Sequence, residues 1–186
     1  MTLFRITALT RAVAMSVATL AFTVGASAAT GNKADYDQAK TSAKATYASA
    51  SKACDAMSGN AKDICVAEAK AARTKSEVDA EAAYKNTPKA REHAIHETAE
   101  ANYKVAKERC DDKAGNDKDV CVKEAKAVMV KAKADAKATH KVADARVDAS
   151  KDKREADYKV AAEKCDPMAG DAKSACVAQA KAKYGM

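Results

Sequence analysis

One block of twelve residues recurs three times in this chain and restricts its fold more than anything else. It reads CDAMSGNAKDIC at 54–65, CDDKAGNDKDVC at 110–121 and CDPMAGDAKSAC at 165–176. Each copy carries Cys, Asp, a Gly five residues after the first Cys, a Lys eight after it and a second Cys eleven after it. A Tyr precedes each first Cys by seven residues (Tyr47, Tyr103, Tyr158), and a Lys follows each second Cys by five (Lys70, Lys126, Lys181). The copies are offset by 56 and 55 residues, which is the mark of a repeat architecture. The repeat cores are 47–70, 103–126 and 158–181.

In the middle copy Tyr103, Ala106 and Cys110 stand at i, i+3 and i+7, one face of a helix. The surrounding Ala, Lys, Glu and Arg are strong helix formers. Gly115 then reads as the left-handed residue that ends a helix, and Asn116 as the N-cap of the next, with Asp119 near its positive end. Gly59 with Asn60, and Gly170 with Asp171, repeat the signal. The expected unit is helix, tight turn, helix, and the expected class is all-α.

The cysteines follow from this geometry. Eleven residues along one unbroken helix would hold them about 16 Å apart, whereas a disulfide needs Cα atoms within about 4.4–6.8 Å. Folded back at the glycine, the two can meet. The repeat therefore favours Cys54–Cys65, Cys110–Cys121 and Cys165–Cys176 among the pairings open to six cysteines; free thiols or a metal site are the alternatives. Each bridge closes a short loop, which stabilises by about 3 kcal/mol.

Residues 1–28 read as a secretory signal peptide. Arg5 and Arg11 supply the basic start, Ala12–Val24 is an apolar run too short for an ordinary span, and Ala26-Ser27-Ala28 is an A-x-A cleavage site. An exported chain from Ala29 onward, placed in the bacterial periplasm, agrees with paired cysteines in an oxidising compartment. Without the leader the chain has no Phe, Leu or Trp; its large side chains are six Tyr, two Ile, eleven Val and a few Met. Most of its apolar content is Ala. A buried methyl is worth only about 0.8 kcal/mol, so residues 29–186 cannot build a deep core. Long helices touching through small residues are expected.

Helices are expected over 33–57 and 61–85, then from Pro88 to about 113 after the break Asn86-Thr87-Pro88, with Thr87 as N-cap. Residues 117–168 form either one helix of about 75 Å or two meeting near Asp148-Ala149-Ser150. A short helix over 172–184 closes the chain, and Pro167 suggests a different bend at the third turn. Whether the hairpins bundle or lie extended stays open, as does a homo-oligomer formed by helix packing.

No catalytic constellation is visible: there is no phosphate loop, C-x-x-C pair or nucleophile with a placed His. Neither an enzyme nor a cofactor is expected. The weak metal candidates are His93, His96, Glu92, Glu97 and Glu100, whose chemistry suits zinc, nickel or copper; ordinary surface polarity is the favoured reading. Asp55, Asp111 and Asp166, with Lys62, Lys118 and Lys173, are read as turn-satisfying acids and solvated lysines. The net charge is +7, of which the leader's two arginines supply two, leaving +5. With no Arg cluster or aromatic platform, nucleic acid is not an expected partner. Envelope proteins, or anionic polymers such as peptidoglycan and acidic lipid head groups, fit an exported lysine-rich surface better.

The helical stretches VKEAKAVMVKAKADAKATHK and VAEAKAARTKSEVDAEAAYK resemble the long periplasmic helical region of TolA-type envelope proteins. The block YKVAKERCDDKAGNDKDVCVKEAK is similar to that of small exported proteobacterial proteins described as TolA-like. The resemblance implies long periplasmic helices and carries over no functional residue. The expected function is a non-enzymatic structural or adaptor role in the cell envelope, with a stress-type chaperone or a cation- or metal-binding protein as the alternative.

Overall fold

A computed structural model describes residues 31–186; the expected signal peptide lies outside the described residues. Within them the chain is helical throughout: α1 (Lys33–Ala53), α2 (Gly59–Lys85), α3 (Pro88–Cys110), α4 (Gly115–Glu163) and α5 (Gly170–Tyr184), with a single 3₁₀ turn at Cys54–Ala56. Each helix packs only on its neighbours in sequence, giving a row of antiparallel hairpins.

All three within-repeat disulfides are present, with Cα atoms 5.7, 5.7 and 5.8 Å apart. The first cysteine of each pair is fully buried. Around these sulfurs the buried side chains are alanines and Val105, and no polar side chain is buried among the described residues. This is the core that residues 29–186, which contain no Leu or Phe, can make. Tyr36, Tyr47 and Tyr103 are half-buried beside it, and Tyr36 stacks on Tyr84 at 5.2 Å to close the open end of the first hairpin.

The turns correct the expected roles of their glycines and caps. Gly59, Gly115 and Gly170 do have positive φ, near +55°, but they open the outgoing helix and do not end the incoming one. The incoming helices stop three to five residues earlier than expected, at Ala53, Cys110 and Glu163. There tight i→i+3 bonds, Met57 N–H to Cys54 O and Lys113 N–H to Cys110 O, both 3.0 Å, satisfy the last carbonyls. The N-caps are Ser58, Ala114 and Ala169, all extended and without side-chain cap bonds; Asn60, Asn116 and Asp171 lie inside the first turn. Pro167 does not alter the bend. The third turn's bonds are donated by Asp166 and Met168, so a proline between them removes none.

The break after α2 matches expectation. Asn86 is left-handed at φ 46°, the Thr87 hydroxyl accepts from Ala90 N–H at 3.1 Å, and Pro88 opens α3. No break occurs near 148–150. α4 runs unbroken for 49 residues, about 74 Å. Its first half lies on α3 and its far end on α5, while residues 144–154 are all exposed.

Candidate binding surfaces and charged straps

The first two cystine turns come together at one end of the row. Asn60 donates through its amide to the Glu108 carbonyl at 3.0 Å and to Asp112 Oδ1 at 2.7 Å. Arg109 pairs with Glu68 at 2.5 Å beside them. Asn60 is therefore a fastener between turns and not a helix cap. In every copy the recurring Lys reaches back to the recurring Asp: Lys62–Asp55 at 3.0 Å, Lys118–Asp111 at 2.9 Å and Lys173–Asp166 at 3.0 Å. These lysines are not simply solvated, as the sequence suggested; they bridge each bend. Being solvent-exposed, the pairs contribute at most about 1 kcal/mol each.

Because α1 and α3 flank α2 without touching one another, a groove of about 680 Å³ runs along α2 between them. Lys62, Lys70, Arg73 and Lys104 line it, with Asp63, Glu77 and Glu108 and the ring of Tyr47. Arg73 lies over that ring at 5.5 Å and pairs with Glu77 at 2.9 Å. Lys62 and Arg73 are already paired, with Asp55 and Glu77, so Lys70 and Lys104 are the lining cations that make no ion pair among the described residues.

The histidine candidates separate. Glu92 and His96 face α4, with His96 Nε2 3.6 Å from Glu92 and 3.2 Å from the Lys133 carbonyl. His93 is exposed and outside this group. Glu97 makes no ion pair among the described residues, and Glu100 instead binds Lys133 across to α4. The residue that completes the cluster is His140, which the sequence reading missed. Its Nδ1 meets Glu92 and its Nε2 lies 3.0 Å from Asp144. Forty-four residues separate His140 from His96, and only the register of α3 on α4 joins them. Hydrogen bonding from His140 holds the Glu92 carboxyl below the usual carboxylate range, and Lys133 does the same to Glu100. Among the described residues no three His, Cys, Asp or Glu side chains are arranged to hold a metal ion. The arrangement is that of two polar straps tying α3 to α4, a hydrogen bond between His140 and Glu92 and an ion pair of Lys133 with Glu100.

No described helix is long and apolar enough to cross a membrane. Comparison with protein-family models, characterised proteins and solved structures gave no match.

Proposed function

We propose that this chain is an exported, non-enzymatic spacer or adaptor of the bacterial cell envelope, acting in the periplasm through its charged helix faces. The observation that carries the reading is the set of three like cystine clamps, one per repeat. Persistent disulfides belong to oxidising compartments. They also hold long Lys- and Glu-rich helices in a fixed row where alanine contacts alone are weak. The likeness of those helices to TolA-type proteins points the same way.

Within this reading, the lysine-lined groove along α2 receives an anionic envelope polymer, for which peptidoglycan is the first candidate. Co-sedimentation of the purified chain with isolated peptidoglycan tests it. Binding that falls steeply with salt, and weakens in Lys70→Glu/Lys104→Glu, supports the proposal. Equal binding by the variant, or none by either protein, refutes the groove. Suppression of client aggregation without envelope binding would favour the chaperone alternative.

A further inference from the structure

The repeat and the fold disagree at one place. The break Asn86-Thr87-Pro88 lets α3 fold back on α2; 56 residues later the chain reads Val142-Ala143-Asp144 and α4 continues straight through. The first half of α4 is the counterpart of α2, since NAKDICVAEAKA at 60–71 matches NDKDVCVKEAKA at 116–127. Its second half is the counterpart of α3, since ANYKVAKERC at 101–110 matches ADYKVAAEKC at 156–165. α4 thus joins, end to end, two helices that in the preceding unit lie side by side.

The faces used in that side-by-side contact are still present, and they are bare. On α2 the face shared with Asn60 carries Ile64, Ala71, Thr74, Val78 and Ala82, all half-buried. Their counterparts Val120, Ala127, Val130, Ala134 and Ala138 are all exposed. On α3 the face shared with Glu108 carries Ala94, Ala101 and Val105, all buried; the counterparts Ala149, Ala156 and Val160 are exposed. Val105 is 8% accessible and Val160 58%. With Val142 and Ala145 between them, these positions follow one another at three, four or seven residues, the seven-residue steps passing Lys123-Glu124 and Asp152-Lys153, so they share one face of the helix.

We infer that this face is the interface of an antiparallel homodimer, in which α4 of one copy lies on α4 of a second copy about a two-fold axis near Val142–Asp144. Each first half then meets the second half of the other copy as α2 meets α3. This is an isologous, exchanged form of a contact the fold already makes. Two of the three polar marks of that contact are kept, while the Asn60–Asp112 bond has no counterpart because Pro167 stands in the place of Asp112. Glu68–Arg109 becomes Glu124 with Lys164 of the second copy, and the Asn60 bond to the Glu108 carbonyl becomes Asn116 to the Glu163 carbonyl of the second copy. There is room for it, since α2 accommodates α1 and α3 together, and α3 accommodates α2 and α4. The seam is used twice by symmetry, so it is about double the α2–α3 contact in length.

Sedimentation equilibrium of the full chain through the micromolar range tests this. The wild-type chain is expected to be dimeric. Val160→Glu places a carboxylate twice in the seam and weakens association at least about 100-fold, with unchanged circular dichroism because Val160 is exposed in the single chain. Restoring the break with Val142→Asn/Ala143→Thr/Asp144→Pro should give a monomer with a smaller Stokes radius than the Val160→Glu monomer, its two half-helices now paired internally. Glu124→Lys should weaken the dimer, and adding Lys164→Glu should recover it. A wild-type monomer throughout the range, or a dimer indifferent to Val160→Glu and Val130→Glu, overturns the proposal.

Discussion

Gly115 shows how one residue sets a bend and how its role can be misread from sequence. A positive φ was legible in the recurring glycine; which helix it belongs to was not, because that depends on where the incoming carbonyls find partners. A Cβ at Gly115 would meet no atom within 4 Å, so the cost of adding one is backbone strain alone. Gly115→Ala should lower stability by about 1–2 kcal/mol in urea melts, and Gly115→Asn by less, because asparagine tolerates the left-handed region. Equal losses would point to packing instead. Glu92 and Glu100 carry a second residue-scale prediction. Both carboxyls are held below their ordinary range in the folded chain, by His140 and Lys133 respectively. A depressed folded-state value means that the straps contribute fully above the unfolded carboxylate pKa of about 4.3. That contribution is lost as pH falls through the lower folded values. Melting temperature should therefore drop on acidification from about pH 5 to pH 2, with a shallower drop in Glu92→Gln/Glu100→Gln; parallel curves would remove the straps from the account.

Helices were the most legible level, and the reasons are local. Thr87 and Pro88 announce the start of α3, and unbroken Ala/Lys/Glu composition announces helix after the second cystine turn. The absence of Pro and Gly between Asp117 and Glu163 permitted either one helix or two, and nothing in the composition chose between them. Contacts between elements were harder to read. Asn60, taken for a cap, holds α2 to α3 by bonding the Glu108 carbonyl and Asp112. His140 belongs with Glu92 through a register that no local pattern encodes. Asn60→Ala should cost about 1 kcal/mol in denaturant unfolding, as a removed junction does. The same loss in Asn116→Ala under monomeric conditions would contradict this, since Asn116 occupies the equivalent place without a neighbouring turn to bond.

At the largest scale, residues 31–186 form a row of hairpins whose interior is mostly alanine and whose fixed points are sulfur. Pairing of the cysteines was legible because the repeat brings each pair to one bend. The course of the third unit away from the first two was not, because it follows from a missing break. Each cystine closes a loop worth about 3 kcal/mol, against a total stability of about 5–15 kcal/mol for an ordinary domain. With core side chains no larger than Val105, the clamps supply a large share of what keeps the helices paired. Thermal unfolding followed by circular dichroism, with and without a strong reductant at neutral pH, tests that claim most directly. The oxidised chain should melt cooperatively, and the reduced chain should melt at a much lower temperature or show no transition. A reduced chain that melts at the temperature of the oxidised one would contradict the account.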